Sequence, residues 1–317
     1  MPGRLLGDIG ATNARFGLAD RTGKIERVRV LACDEHREIA GAIAAYLAED
    51  GPAEPPQEAA LAVASPVTGD QVTLTNHPWS FSVVALKHQL GLTRLIVVND
   101  FAANALAVPR LRPEDRLQVG GGTPEAASPI GVIGPGTGLG VSGLVPTASG
   151  FLALAGEGGH ATLPAEDARE SAVIDRLRHR FEHVSAERAL SGQGLVNIYT
   201  TLAEIAGVPA APFTPAQIAD RALGESEPLV REALAMFCAM LGTVAGNLAL
   251  TLGARGGIYI AGGIVPRLGQ RFAESAFRRR FEAKGRMRPY LAAIPTYVVT
   301  HPVPAFLGLL ALLEREE

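Results

Sequence analysis

Apolar runs that break at short glycine-containing turns dominate the pattern of this 317-residue chain. Near the start, Leu5-Leu6 leads into residues 7–13 (GDIGATN), and the apolar run resumes at residues 14–19. This pattern predicts a strand, a tight turn and a second strand. Further apolar runs typical of strands lie at residues 27–32, 59–64 and 95–98. One stretch, residues 36–48, has helical spacing. Such alternation predicts an α/β layer with a mixed sheet.

The strand–turn–strand pattern recurs in the middle of the chain. Residues 129–133 lead into residues 134–140 (GPGTGLG), and a second apolar run follows at residues 141–145. Two copies of one pattern favour a duplicated architecture. Backbone amides exposed at such turns can bind phosphate groups, and Asp8 before the first turn can hold a hydrated metal ion. The plainer alternative is an ordinary N-terminal hairpin with an aspartate in its loop.

A composition break at residues 109–113 marks a domain boundary. The final stretch, residues 306–317, has the spacing of an amphipathic helix that can pack back on the first domain. We therefore predict one domain of residues 1–109 plus 301–317 and a second of residues 110–300. The elements predicted in the second domain, beside its hairpin, are helices at residues 171–181, 194–206, 229–252 and 266–280 and a strand at residues 257–261.

Composition is that of a globular protein, with 47% hydrophobic and 19% charged residues and a net charge of −3. The arginines are scattered and form no basic run, so neither nucleic acid nor an anionic membrane is indicated as a partner. Residues 233–254 carry no charge, which fits a membrane span by length. Asn247 and three glycines interrupt this stretch, and we therefore predict a buried helix at the centre of a domain.

Cysteine usage indicates the redox setting. Cys33 and Cys238 are too few and too far apart for a disulfide framework or a metal site. The opening residues lack the pattern of a secretory signal. These observations favour a cytoplasmic, reducing location.

Asp100 is the strongest candidate for a catalytic group. It lies between the apolar run of residues 95–98 and helical spacing at residues 101–108. This places it at the carboxyl end of a strand, where open α/β sheets bind ligands. There the carboxylate can accept a proton from a substrate hydroxyl while Asn99 fixes the substrate. The alternative role of the pair is to cap the helix, and both roles are compatible if Asn99 caps and Asp100 faces the ligand.

Two further segments carry candidate polar ligands. Residues 156–160 (GEGGH) hold Glu157 and His160 on a loop of little bulk, which suits hydrogen bonds to a polyhydroxyl ligand. Metal binding at this loop would need further ligands nearby. Glu187 is a third candidate, although its local pattern by itself favours a solvated helix residue.

Glycines outside the two turns allow more than one interpretation. Gly262 and Gly263 follow a predicted strand and precede a helix. They allow a flat ligand such as adenine to approach, or simply tight packing of the strand on the helix. Residues 138–143 (GLGVSG) match the dinucleotide-binding spacing, but small residues and Pro146 follow where that fingerprint requires a helix, so we treat the match as accidental.

Taken together, these segments resemble the bacterial glucokinase family, which belongs to the sugar kinases with an actin-like ATPase fold. The matching segments occur in order over nearly the whole chain, at residues 7–15, 75–79 (TNHPW), 98–101 (VNDF), 134–140, 156–160, 183–194 and 260–266. The resemblance implies an α/β fold of two ribonuclease H-like domains around a deep cleft. It also implies a homodimer.

The resemblance further implies a role for each candidate residue. Asp100 takes the proton from the sugar 6-hydroxyl, and Asp8 lies near Mg²⁺, bound through water. The implied sugar ligands are Asn99, Asp100, Glu157, His160 and Glu187. The implied ATP-binding residues are Gly7, Asp8, Ile9, Gly10, Ala11, Thr12, Asn13, Gly136, Thr137, Gly138, Gly262 and Gly263.

The chain departs from the family pattern at three positions. Ala11 stands where a second glycine is usual, so the first turn must avoid a conformation open only to glycine. Pro135 replaces a small residue and removes one amide donor. Gln193 replaces a common proline in the turn before a predicted helix.

The reaction implied is transfer of the γ-phosphoryl group of ATP to the 6-hydroxyl of D-glucose. One alternative is a kinase of another hexose or of an amino sugar. Another is a sugar-responsive regulator without catalytic activity, which would need a DNA-binding module. This chain enters its first strand within about five residues and shows no basic helix at either end, so we expect an enzyme.

Overall fold

Two separate mixed β-sheets organise the residues that the computed structural model describes, which are 3–222, 224 and 227–315. Each sheet belongs to one of two units of the chain. The first unit runs to Leu111 and resumes at His301, and the second runs from Arg112 to Thr300. Both units combine their sheet with helices, and the predicted α/β class is confirmed.

The first unit begins with an antiparallel hairpin and continues with two parallel strands. Its strands are β1 (Arg4–Ile9), β2 (Asn13–Ala19), β3 (Ile25–Ala32), β4 (Glu58–Val63), β5 (Gln71–Thr73), β6 (Ser80–Ser82) and β7 (Arg94–Asn99). Its helices in this part of the chain are α1 (Ile39–Asp50), α2 (Val83–Gln89) and α3 (Asp100–Ala107). The main sheet has the order β3-β2-β1-β4-β7, and β5 pairs with β6. Because β1, β4 and β7 run parallel, their carboxyl ends share one edge.

The second unit repeats this arrangement. Its strands are β8 (Arg116–Gln118), β9 (Ile130–Pro135), β10 (Leu139–Thr147), β11 (Gly150–Gly156), β12 (Ile258–Ile260) and β13 (Thr296–Val299). Its helices are α4 (Ala168–Arg178), α5 (Gly192–Ile205), α6 (Pro215–Ala222), α7 (Pro228–Leu252), α8 (Val265–Leu268), α9 (Gln270–Ala273), α10 (Phe277–Glu282) and α11 (Arg288–Ala293). The sheet order β11-β10-β9-β12-β13-β8 matches that of the first unit in sequence and strand direction, apart from the added β8. The duplication predicted from the two hairpins is confirmed.

The last helix, α12 (Pro304–Leu313), belongs to the first unit and packs on α3 and on strands β1 and β4. The cluster that buries its apolar side is formed by Phe306, Leu309, Leu310 and Leu313 of α12 together with Leu6, Ala60, Ala62 and Ala103. Gly308 allows the close crossing of α12 and α3, since a Cβ there would lie 1.8 Å from the carbonyl oxygen of Ala103. The helix predicted for this segment and its packing on the first unit are confirmed, although most of its residues are apolar and buried.

Helix α7 forms the centre of the second unit. By length and composition alone its 25 residues could cross a membrane, but 78% of its most apolar window is buried within the protein. It packs against α5, α6 and α10. The buried central helix predicted from the interrupting glycines and Asn247 is therefore confirmed.

Other predicted elements lie within a few residues of those observed, with two corrections. The single helix predicted at residues 266–280 is wrong, because α8, α9 and α10 replace it. The break between α8 and α9 falls at Gly269, whose φ of +52° no continuing helix can accommodate. Helices α2, α6 and α11 and strands β5, β6, β8, β11 and β13 were not predicted, because each has only three to eight residues and shows no clear period.

Candidate active site

The carboxyl edge of the first unit's sheet brings Asp8 and Asp100 to the same side. Ile9 at the end of β1 is in register with Val63, and Val63 is in register with Asn99 at the end of β7. Two strand spacings of about 4.8 Å place the ends of β1 and β7 about 10 Å apart. Asp8 lies just before the first of these ends and Asp100 just after the other, so the two carboxylates belong to one edge.

Asn99 and Asp100 occupy the N-cap and the first helical position of α3. Oδ1 of Asn99 accepts hydrogen bonds from the amides of Phe101 (2.9 Å) and Ala102 (3.1 Å), which makes Asn99 the N-cap of the helix. Nδ2 of Asn99 lies 3.4 Å from the carbonyl oxygen of Ser65, which follows β4. Asp100 is half-buried at the first helical position, where the helix dipole favours a carboxylate. The capping role considered for Asn99 is confirmed.

The first turn leaves two amides exposed. Gly10 donates its amide hydrogen to the carbonyl of Asn13 (2.9 Å), and Thr12 accepts one from Cys33 (2.9 Å) at the end of β3. Within the described part of the chain, the amides of Ala11 and Thr12 donate no hydrogen bond. Ala11 keeps a negative φ, so the turn avoids a conformation open only to glycine, as the sequence requires.

Asp8 is the acidic group closest to this turn along β1. Its side chain is 29% exposed, and a guanidinium nitrogen of Arg15 lies 3.3 Å from its Oδ2. Burial raises the pKa of Asp8, and the charge of Arg15 opposes that shift without cancelling it. Among the described residues, no three His, Cys, Asp or Glu side chains form a metal-binding group. A single carboxylate fits Mg²⁺, which usually keeps several waters and takes its other ligands from phosphates.

The second turn repeats the pattern of the first. Gly136 donates its amide hydrogen to the carbonyl of Gly138 (2.8 Å), and no described acceptor is bound by the amides of Thr137 and Gly138. The next amide, that of Leu139, donates to Oε2 of Glu187 (2.9 Å). The turns that follow β1 and β9 therefore each have two available donors.

The 3₁₀ turn Gly158–His160, which follows Glu157, contacts the turn Ala186–Arg188 that carries Glu187, and both turns approach Leu139. Gly159 packs its backbone on this residue, since a Cβ there would lie 1.9 Å from the carbonyl oxygen of Leu139. The tight turn from Glu157 to His160 leaves both side chains exposed. The interpretation of Glu187 as a solvated helix residue is wrong, because it is half-buried in a short 3₁₀ turn and bonds to the second glycine-rich turn.

A cavity of about 580 Å³ lies beside the second turn, within the usual range for small-molecule sites. Gly136, Thr137 and Gly263 line it, as expected for nucleotide-binding residues. Gly262 instead packs on β9, because its φ is +83° and a Cβ would lie 2.4 Å from the carbonyl oxygen of Pro135. The lining residues that were not predicted are Gly192, Gln193, Leu195, Thr214, Pro215, Ala216, Ala219, Asp220, Ile264, Arg267 and Leu268. They come mostly from α5, α6 and α8 and have no sequence signature, although Gln193 stands out as a departure from the family pattern.

A duplicated α/β sheet with a donor-bearing turn in each unit is the arrangement of the actin-like ATPase fold. The glucokinase family model matches residues 5–316, and the chain belongs to this family. The glucokinase of Paramagnetospirillum magneticum is 55% identical, over 98% of this chain and 97% of the relative. That of Aromatoleum aromaticum is 52% identical, over 98% of this chain and 95% of the relative.

Solved structures agree with the fold. A glucokinase from an Antarctic psychrotroph is 37% identical over the full length of both chains, with a TM-score of 0.88. A ROK family glucokinase from Streptomyces griseus, in complex with glucose and AMPPNP, is 18% identical over 98% of both chains and has a TM-score of 0.69, which supports the fold alone. The predicted fold and family are confirmed, and as a member of this family the chain is an ATP-dependent hexose kinase.

Proposed function

We propose that this chain transfers the γ-phosphoryl group of ATP to the 6-hydroxyl of D-glucose, with Asp100 as the general base. The observation that carries the proposal is the arrangement at the carboxyl edge of the first sheet. Asn99 caps α3 there, and Asp100, whose Oδ1 also accepts the amide of Phe101 at 2.9 Å, places its carboxylate at the edge that Asp8 shares. The carboxylate accepts the hydroxyl proton as the oxygen bonds to phosphorus.

The two turns supply the electrostatic part of the reaction. Phosphoryl transfer requires mainly positioning and neutralisation of charge. The amides of Ala11, Thr12, Thr137 and Gly138 are donors for phosphate oxygens, and the cavity beside the second turn accepts the adenosine. Mg²⁺, when bound with the nucleotide, offsets the negative charge of the phosphates. Asp8 holds a water of that ion under this proposal.

Sugar recognition is assigned to residues of both units. Oδ1 of Asn99 accepts two helix amides and its Nδ2 donates one hydrogen to the carbonyl of Ser65, which leaves the second Nδ2 hydrogen as a donor for the sugar. Glu157 and His160 present exposed polar groups, and Glu187 adds a carboxylate next to them. We propose two domains, residues 1–109 plus 301–317 and residues 110–300, and the division of the chain at Leu111 and Thr300 supports these bounds.

The test is phosphorylation of glucose with ATP and Mg²⁺ by the wild type and by Asp100→Asn. Removal of a general base typically lowers turnover by about 10²–10⁴-fold, and we expect a loss in this range with glucose binding retained. Asp175→Asn, an exposed change on α4, serves as the matched control and retains full turnover. Near-normal turnover of Asp100→Asn would refute the assignment of the base.

Assembly and location complete the proposal. Family membership supports a homodimer, which light scattering of the purified protein measures directly. Cys33 and Cys238 are both free and buried, which is compatible with a reducing cytoplasm. A monomer at micromolar concentration would refute the first statement, and recovery of the protein outside the cytoplasmic fraction would refute the second.

A further inference from the structure

A second cavity, of about 700 Å³, lies at the opposite edge of the first unit's sheet. Arg4 at the start of β1 and Arg94 at the start of β7 line it, whereas Asp8 and Asp100 lie at the other ends of these strands. Each of these strands has six residues, and the five steps between them, at about 3.3 Å per step, separate the two edges by roughly 17 Å. The cavity is therefore distinct from the phosphoryl-transfer site.

Basic side chains from five parts of the first unit converge on this cavity, which we call the basic cavity. They are Arg4, Arg21, Lys87, Arg94 and Arg315. Among the described lining residues the sole acid is Glu314, which pairs with Arg110 outside the lining, and Arg4 pairs with Glu58, also outside the lining, at 3.0 Å. This concentration of positive charge occurs in a chain whose net charge is −3.

Local structure holds these cations in place. Asp20 accepts two backbone amides and a hydroxyl in the β2–β3 turn, and this fixes the turn that carries Arg21. The guanidinium of Arg94 donates to the carbonyls of Leu313 and Arg315, each at 3.0 Å, and so fixes the end of α12. The cavity wall is thus formed before any ligand arrives, which reduces the ordering cost of binding.

Convergence of like charges is unfavourable by itself and creates a positive potential that attracts anions. Arginine offers planar, paired donors that match phosphate oxygens, and the volume lies within the range of small-molecule sites. We propose that the basic cavity is a second anion site, which takes a small molecule carrying two or more phosphate groups. This site is independent of the proposed base and sugar ligands.

The first experiment is calorimetric titration of tripolyphosphate into the protein saturated with AMPPNP and glucose, so that the catalytic site is filled. We expect one bound equivalent. Arg21→Glu with Lys87→Glu reverses two cavity charges, and we expect it to weaken binding about tenfold or more. Arg37→Glu with Arg231→Glu changes the net charge equally at exposed sites outside the cavity and leaves the affinity unchanged. The single change Arg21→Ser, on an exposed turn, repeats the test should the double variant unfold.

Three further probes identify the source of the phosphate groups. Inorganic phosphate is expected to bind more weakly than tripolyphosphate, because it meets fewer cations. Fructose 1,6-bisphosphate binding with the same dependence on Arg21 and Lys87 would identify a sugar phosphate as the occupant, and binding confined to tripolyphosphate would identify a polyphosphate chain. Absence of binding by all probes at about 10 mM, or equal affinity in the cavity and control variants, would overturn the proposal.

Discussion

The proposed role of Asp8 and its burial favour opposite protonation states of its carboxyl group. Its proposed role needs the charged form, but burial raises the pKa of Asp8 above its ordinary value of 3.8 even with Arg15 beside it. A raised pKa in the folded state means that the stability contributed by the neutral acid is complete below the unfolded pKa and is lost as the pH rises through the folded pKa. At neutral pH the charged carboxylate therefore reduces the stability of the fold.

We accordingly expect Asp8→Asn to increase the free energy of unfolding at neutral pH and to leave it nearly unchanged at about pH 3. Urea unfolding at the two pH values measures the difference. Asp20→Asn is a control of opposite sign, because hydrogen bonds from Thr22 and Lys24 lower the pKa of Asp20. The Asp8 variant should also need about 10–100-fold more Mg²⁺ for half-maximal turnover. Lower stability at neutral pH, or an unchanged Mg²⁺ requirement, would argue against this account.

Glu187 links the proposed sugar ligands to the second turn. Its Oε2 accepts the amide of Leu139 at 2.9 Å, so its removal leaves that amide without its acceptor. An unmet buried donor costs about 1–3 kcal/mol. We expect Glu187→Ala to weaken AMPPNP binding about tenfold in the absence of glucose, measured by calorimetry. Glu157→Ala, at an exposed position without this bond, should weaken glucose binding alone, and equal AMPPNP affinity in the two variants would contradict the link.

At the scale of elements, α12 and α3 depend on one close crossing. A Cβ at Gly308 would lie 1.8 Å from the carbonyl oxygen of Ala103, and overpacking of this kind costs about 1–3 kcal/mol. We expect Gly308→Ala to lower the free energy of unfolding by that amount and to reduce turnover, because α3 begins at Asp100. Denaturant unfolding and initial rates measure the two effects.

Gly41 offers a matched control in another helix of the same unit. No atom lies within 4 Å of a Cβ at this position in α1. Gly41→Ala should therefore raise the free energy of unfolding by about 0.4–1 kcal/mol, through the unfolded chain and helix propensity. If Gly308→Ala also raised the free energy of unfolding, the crossing of α12 and α3 would not limit stability.

Most elements were predictable because they combine clear apolar runs with glycine turns. The hairpins at residues 7–13 and 134–140, and the position of Asp100 after β7, follow from local sequence. The cavity residues of α6 and α8 do not, because these short helices show no period and their contribution depends on chain folding. Glu187 was misjudged for the same reason, since its acceptor role depends on an amide 48 positions away.

At the scale of the whole molecule, the arginines show that the order of residues along the chain does not by itself reveal a cluster of charge. They are scattered along the sequence and form no basic run. The fold nevertheless gathers Arg4, Arg94 and Arg315 at one sheet edge, through strand register and the return of the last helix. Clusters of charge of this kind depend on topology, so a search for basic runs along the sequence does not find them.

The return of α12 to the first unit also sets an order of events during synthesis. The second unit is continuous from Arg112 to Thr300, so all of it is synthesised before α12. Domains generally fold as units while the chain is being produced. Folding of the second unit can thus begin before the first unit is complete, whereas α3 gains its packing partner only after α12 has been made. Chains released before that point lack α12, so the helix that begins with the proposed base Asp100 is left without its packing partner.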